Sequence, residues 1–585
     1  MSITIARSIA YSALMTTQVQ MRVTSSNIAN ADTDGYTRKI ANQATTVLAG
    51  VGTGTTIVGI SSTLDKLLLK SLMAAASELG AADTTASYTD RLQSLFGSTD
   101  GAGTSIASTI ADLEAALLEL AETPESESLQ SVVVDTLDAL AAQLRETSDG
   151  IQDLRADADD EIETKVQDVN AALRQIDELN DQIGRAAALG QSTADLEDQR
   201  NQAIQGITAL MDVNYFVNSN GQMHIYTSSG VALLNGSVHE LAYESAGVVN
   251  ASTAYSATPP SGFDAISVDG KDITSHIKSG RIGALIDLRD EVLPAAQSEL
   301  DELATELADA LNAVHNQGTA MPPPASLTGS ETVSAADALS ATGTVRFAVT
   351  DRDGVLVSYQ DLDLSSYATV GDLVAAIDSI GGLSASIDPE GHVIVSADDA
   401  ANGIAVNEMD SAVGAPSRGL SDWLGLNDLV TATGASDFAV RSDIVTTKSL
   451  LATSTLNPSS SLTIGDDVLS LGSAAIAGSL HGALTEPNSF DAAGRLGGRS
   501  ASFASYAADI VAVNATAASR ASGALAGKET TYAALADAIA SQSGVNLDEE
   551  TARMAELGNL YAATAELMRV LDDMFDALLG TLAAA

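Results

Sequence analysis

The sequence predicts an α+β multidomain protein. Its N- and C-terminal helices pair in an α-helical coiled-coil stalk, and β-rich outer domains are inserted between them. Three observations predict this. Residues 3–26 and 546–582 carry apolar residues at three-and-four spacing, the signature of a helix with one buried face. Between them the pattern alternates as helix, β, helix, β, helix, so later domains are inserted into earlier ones. Finally, 45% of residues are hydrophobic but only 4% aromatic, so the cores are built of Ala, Leu, Val and Ile, which suits close-packed helices. A chain of 585 residues has room for several domains whose cores need no staples.

Taken in order, the first helix uses Ile3, Ala6, Ala10, Leu14, Thr17 and Met21 as its stripe. Asp32-Thr33-Asp34-Gly35 breaks it as a turn, and the Gly/Thr/Val-rich stretch through Gly50, Gly52 and Gly54 reads as extended. From about 63 to 210 the pattern is helical, with Ile162, Val166, Val169, Leu173, Ile176, Asn180 and Ile183 in heptad spacing. Asn180 is the polar exception: either it is buried and fixes register, or it is solvated at a helix end. Tyr215-Phe216-Val217 and Met223-His224-Ile225-Tyr226 flank Asn220-Gly221 as a hairpin. Helix returns over 283–316, Met321-Pro322-Pro323-Pro324 reads as a linker, and 330–480 as β-rich with short helices. Residues 500–543 are an Ala-rich helix.

The last helix is the most regular segment. Met554, Leu557, Tyr561, Thr564, Met568, Leu571, Phe575, Leu578 and Leu582 form one stripe; Leu560, Leu567, Val570 and Met574 form a second beside it. Two stripes make a face too broad for one partner helix. Asn546 with Glu549 reads as a capping box, Asp548 to Glu550 suit the positive helix terminus, and Gly558 allows a bend. The expected domains are 1–50 with 545–585 (terminal helices); 51–212 with 280–320 and 490–544 (helical bundle); 213–279 (β-rich insert); and 325–485 (β-rich outer domain).

Composition narrows function. With 77 acidic against 28 basic residues the formal charge is −49, which disfavours nucleic acid and anionic membranes. The acidity reads as a self-repelling, salt-adapted surface or as cation binding. The chain has no cysteine, excluding disulfides, thiol catalysis and Cys-based zinc sites. No window of 18 or more apolar residues predicts membrane insertion, and the N-terminus does not read as a cleavable signal. The six histidines are scattered without metal-ligand spacing. Gly523 to Glu529 has one residue too few between glycines for a phosphate loop, and Glu529 replaces its Ser/Thr. Asn30 to Gly35 opens like a calcium loop, but Ala41 stands where its bidentate Glu belongs. No catalytic residue, cofactor or metal site is expected, and the chain reads as no enzyme.

Asn27-Ile28-Ala29-Asn30 followed by Gly35-Tyr36-Thr37-Arg38 resembles the signature of flagellar rod, hook and hook-associated proteins. The Tyr-Thr-Arg form is that of the hook-associated protein 1 group, with Lys39 where Gln is common. Further segments resemble the same group: Leu179 to Ile183 through Asp198-Gln199-Arg200, Gly283 through Pro294, Leu311 to Gly318, Thr369 to Asp388, and Val545 to Leu582. The resemblance covers about half the chain, and the order of its segments is its most specific feature.

The resemblance implies a structural subunit at the hook–filament junction, a ring with one copy per protofilament; the alternative is a hook or filament subunit. The terminal helices would form an inner tube. Implied partners are other copies of the chain, the flagellar hook protein, hook-associated protein 3 and a cytoplasmic export chaperone on the C-terminal helix. The implied location is the extracellular flagellum, reached by type III export without a cleavable signal peptide. Residues expected to pack between subunits are Ile3, Ala10, Leu14, Met21, Asn27, Ile28, Asn30, Gly35, Tyr36, Arg38, Leu557, Tyr561, Met568, Leu571, Phe575, Leu578 and Leu582. An ordinary intrachain coiled coil is the other reading of these helices.

Overall fold

The structure, a computed structural model, describes residues 3–48, 50–97, 105–415, 417–470 and 472–583, with only the backbone of 581–583. Helix α1 (Ile3–Ala29) is followed by a long hairpin, β1 (Lys39–Leu48) and β2 (Val51–Ser62). Four helices come next: α2 (Lys66–Phe96), α3 (Ile106–Glu122), the 62-residue α4 (Glu127–Ala188) and α5 (Ala194–Leu210). Asp65 caps α2, accepting from the backbone N–H of Leu67 and Leu68. A β insert holds β3 (Val213–Val217), β4 (Met223–Thr227) and β5 (Ala232–Leu234), then the short β6 (Leu241–Ala242), β7 (Ser267–Val268) and β8 (Lys271–Asp272). Both three-stranded sheets are antiparallel.

Helices α6 (Gly280–Asp287) and α7 (Leu293–His315) are joined by a π-helical turn, Leu288–Val292. Pro294, with no N–H to give, stands just after that turn. Within the turn Arg289 is fully buried, forked onto Asp290 at 2.8 and 2.9 Å and bonded to Asp159 of α4 at 2.8 Å. A buried guanidinium survives only when fully partnered, so this cluster fixes α4 against the α6–α7 junction.

The bundle buries its stripes completely. Ile162, Val166, Val169, Leu173, Ile176 and Ile183 of α4, and Leu293, Ala296, Leu300, Leu303 and Leu307 of α7, are each exposed by 2% or less. Asn180 is buried: its amide donates to the carbonyl of Met223, and its oxygen accepts from the Met223 N–H and from Arg200. It is therefore a register residue, locking the β4 strand to α4.

The outer part continues with helices α8 (Val370–Asp378), α9 (Leu420–Leu424), α10 (Ser442–Thr446) and α11 (Ala475–Thr485). Two antiparallel sheets build it: Leu356–Asp363, Thr344–Asp351 and Asn402–Asn407 in that order, and Leu383–Ile387, His392–Ala397 and Ser326–Thr332. Helix α12 (Phe503–Ser543) packs along α2, and α13 (Leu547–Ala583) returns to α1. The architecture is multidomain α+β, with paired terminal helices.

Two expected boundaries move. The limit placed at 50/51 falls at the tip of the β1–β2 hairpin, whose two strands form one ladder from Lys39↔Ser62 to Leu48↔Val51. The stretch 325–485 is not one β domain. Its own core runs from Leu327 to Leu426, whereas Leu429, Val430, Phe438, Ile444, Leu451, Ile476, Leu480 and Leu484 complete the bundle core. Polar side chains at the end of α7 make that join. Asn312 brackets the backbone of Leu429 and Val430, and Asn316 bonds Asp428, Ser421 and Asn427. His315, fully buried, donates from Nδ1 to the Asn427 carbonyl and accepts at Nε2 from the Ala452 N–H at 2.9 Å. Burial pushes its pKa down to about 4, so it is neutral and keeps that tautomer.

Candidate functional site: the terminal clasp

Helices α1 and α13 run antiparallel. Asn27 meets Glu550 at one end, and Arg7 meets Asp572 at the other, at 3.0 Å. At the first end five segments converge. Asn27, 1% exposed, uses all its hydrogen-bonding capacity. Its amide donates to the Lys39 carbonyl at 3.0 Å and to Glu550 at 3.1 Å; its oxygen accepts from the Lys39 N–H and the Tyr36 hydroxyl, both at 3.0 Å. Arg38 donates twice to Glu550 at 2.7 Å and approaches Glu549 at 3.5 Å. Its backbone N–H donates to the Ser543 carbonyl at the end of α12.

A second layer ties this to the bundle. The Thr37 N–H and hydroxyl both donate to Asp198 of α5, at 2.9 and 2.8 Å. The Lys39 ammonium, also buried, pairs with the same carboxylate and lies 4.0 Å from the centre of the Tyr36 ring. Burial, with Asp195, Asp198 and Glu550 nearby, pushes the Tyr36 pKa up, so its hydroxyl stays protonated and serves as the donor to Asn27. Gly35 has φ +71°, and the Gln202 side chain occupies the space a Cβ would take, 2.0 Å away. Every polar residue here finds a polar partner in the same chain. The site is a mechanical clasp that joins α1, α5, α12, α13 and the hairpin. Among the described residues no group of three or more His, Asp or Glu is placed to hold a metal.

Asn546 Oδ1 accepts from the N–H groups of Asp548 and Glu549 and so caps α13. The Glu549 carboxylate faces Arg38 rather than completing a capping box. The helix runs through Gly558 as one element.

Beyond the clasp the helix pair is thinly covered. Ala10 of α1 and Leu557, Thr564 and Leu571 of α13 are buried where the helices meet; Ile3, Leu14, Met21, Ile28, Met568 and Phe575 are partly buried, Phe575 under the Arg7 guanidinium. Asn30 is tied to the Ser26 carbonyl at the end of α1, and Gly35 lies exposed in its turn. Tyr561 and Leu578 are exposed, as are Leu560, Leu567, Val570, Met574 and Leu579, each by 44% or more apart from Tyr561 at 36%. On α1, Tyr11 and Met15 are exposed. The Leu582 side chain lies outside the described residues. Of the residues expected between subunits, Asn27, Tyr36 and Arg38 are thus employed within the chain, and the second stripe of α13 is free.

Sequence reasoning missed Thr37, Lys39 and Asp198 as one unit, although each stands in a segment that carries the family resemblance. It read Gly54 only as part of an extended stretch; there a Cβ would lie 2.1 Å from Ser12 Oγ, and the bare backbone lets the hairpin rest on α1.

Residues 89–325, the bundle with its β insert, match the flagellar hook-associated protein FlgK helical domain, and residues 8–37 match the flagella basal body rod protein family. By these matches the chain is similar to the FlgK group of flagellar hook-associated proteins. It is 25% identical over 317 residues to flagellar hook-associated protein 1 of Salmonella typhimurium and of Escherichia coli K12, covering 53% of this chain. The chain spans 56% of the length of those two relatives. Against the Bacillus subtilis protein of that name it is 25% identical over 344 residues, covering 52% of this chain and 66% of the relative. Its fold is similar to the flagellar hook junction protein FlgK from Burkholderia pseudomallei, with TM-score 0.50 and 17% identity over 80% of this chain and 98% of the other.

Proposed function

We propose that this chain is a structural subunit of the bacterial flagellum that forms the junction between hook and filament. It assembles as a ring of copies, one per protofilament. The observation that carries this is the asymmetry of the terminal pair. One end is locked by a saturated polar clasp, while the rest presents an apolar stripe that the described residues leave about half exposed. A stripe that is half-exposed in the monomer gains its burial from neighbouring copies. The match of residues 89–325 to the FlgK helical domain and the likeness to flagellar hook-associated protein 1 support the reading.

On this reading the neighbours are the hook protein on one side and hook-associated protein 3 on the other. A cytoplasmic chaperone covers the α13 stripe before type III export to the extracellular flagellum. No helix is long and apolar enough to cross a membrane among the described residues.

The test is to add the purified chain to isolated hook–basal bodies and image the distal hook ends. The parent should cap them; Leu560→Asp with Leu567→Asp, on the exposed stripe, should remain folded and fail to cap. Hook ends left bare by the parent would refute the assignment.

A further inference from the structure

Each copy of this chain carries a formal charge of −49, so two copies repel, and least where they meet through surface free of charge. The β1–β2 hairpin is such a surface: from Ile40 to Leu64 no residue is acidic or basic. It is also apolar toward solvent, with Val47 63%, Leu48 74%, Val51 51% and Val58 67% exposed. The hairpin is seated on α1 by one side. Gly54 lies against Ser12, the Thr55 N–H donates to Ser12 Oγ at 3.1 Å, and the Thr55 and Thr16 hydroxyls are 3.1 Å apart.

Exposed strands in a soluble protein are normally guarded by lysine, proline or charge. This hairpin contains none of these beyond Lys39, whose ammonium is consumed in the clasp. Among the described residues the ladder has two register shifts, at Asn42/Gln43 and Thr46/Val47, and the apolar tip lies beyond the second.

We propose that the distal β1–β2 hairpin is a docking surface for a second copy of this chain, seated through Val47, Leu48 and Val51. The charge pattern selects the occupant: a basic partner would be drawn to the acidic surface elsewhere, whereas a like-charged neighbour needs a contact without charge. The proposal rests on the self-assembly reading above and adds to it a surface separate from the terminal helices. In a closed ring the contact is heterologous, so the hairpin meets a different surface on the next copy.

The test is sedimentation velocity on the full chain in about 1 M salt, where the screening length falls to about 3 Å and repulsion between copies is suppressed. The parent should self-associate. Leu48→Asp with Val51→Asp should weaken association by about tenfold or more (about 1.4 kcal/mol) at an unchanged melting temperature, and Val248→Asp, a control at an exposed site of the β insert, should not. Association equal to the parent's would overturn the hairpin contact, and loss of association in Leu567→Asp alone would then show that the ring reading survives. A parent that stays monomeric at every concentration would overturn both and point to a different protein as the hairpin's occupant.

Discussion

Helices α4 and α13 carry apolar residues at the same spacing and meet opposite fates. In α4 the stripe from Ile162 to Ile176 is sealed inside the bundle core, with the β insert bonded to Asn170 and Asn180, at 2% exposure or less. In α13 two stripes lie side by side; α1 covers part of one, burying Leu557, Thr564 and Leu571 and leaving Tyr561 and Leu578 exposed, and Leu560, Leu567, Val570 and Met574 of the other remain about half in solvent. Periodicity therefore specifies that a face exists and how wide it is, while the supply of neighbouring elements decides whether the monomer buries it. The polar ends differ in the same way. Asp159, Arg289 and Asn180 sit inside a completed bundle, whereas the Asn27–Glu550–Arg38 clasp holds one end of a pair that is otherwise open.

The contrast can be broken by substitution. Leu173→Ala in the sealed stripe should cost about 2–5 kcal/mol in urea unfolding, through lost transfer energy and a cavity. A cost below about 1 kcal/mol there would mean that the bundle stripe is no better packed than the terminal one. At the clasp, Glu550→Ala leaves Arg38 and Asn27 without their acceptor. Because Arg38 is a quarter exposed, the expected cost is about 2–3 kcal/mol, below that of a fully enclosed pair. It should appear as faster amide exchange over 23–39 with little change in α4.

Acid sharpens the comparison at the outer join. The folded pKa of His315 is depressed from 6.5 to about 4 by burial, so folding favours the neutral ring. That contribution is intact above pH 6.5 and is lost as pH falls from 6.5 towards 4, by an amount on the order of 1–3 kcal/mol. Amides of 427–452 should lose protection across that window, and His315→Gln should flatten the dependence; protection independent of pH would contradict the neutral, doubly bonded ring. The smallest effect belongs to Leu567→Ala, expected within about 0.5 kcal/mol of the parent in the monomer and visible only in assembly.

Much of this architecture was legible in the residues. The helical stripes, the Asn220-Gly221 hairpin and the alternation of helix and β segments are local patterns, and local physics enforces them. What escaped were partnerships between distant segments. Thr37 and Asp198 are 161 positions apart, and Asn27 and Glu550 are 523, so no spacing rule links them. The extent of the outer domain was misjudged for a related reason: Phe438 and Leu480 are apolar in any setting, and only the fold assigns them to the bundle core. At the clasp the participating residues Asn27, Tyr36 and Arg38 were visible as a motif, but whether they act within or between chains was not.

The central claim is that the terminal pair is anchored at the clasp and left open beyond it. Hydrogen exchange on the purified monomer tests this most directly. The account predicts a gradient: α4 amides around Leu173 slowest, those at 23–29 and 550–557 intermediate, and those at 3–14 and 568–580 fastest. Amides at 568–580 as slow as those around Leu173 would show a finished intrachain coiled coil and contradict it.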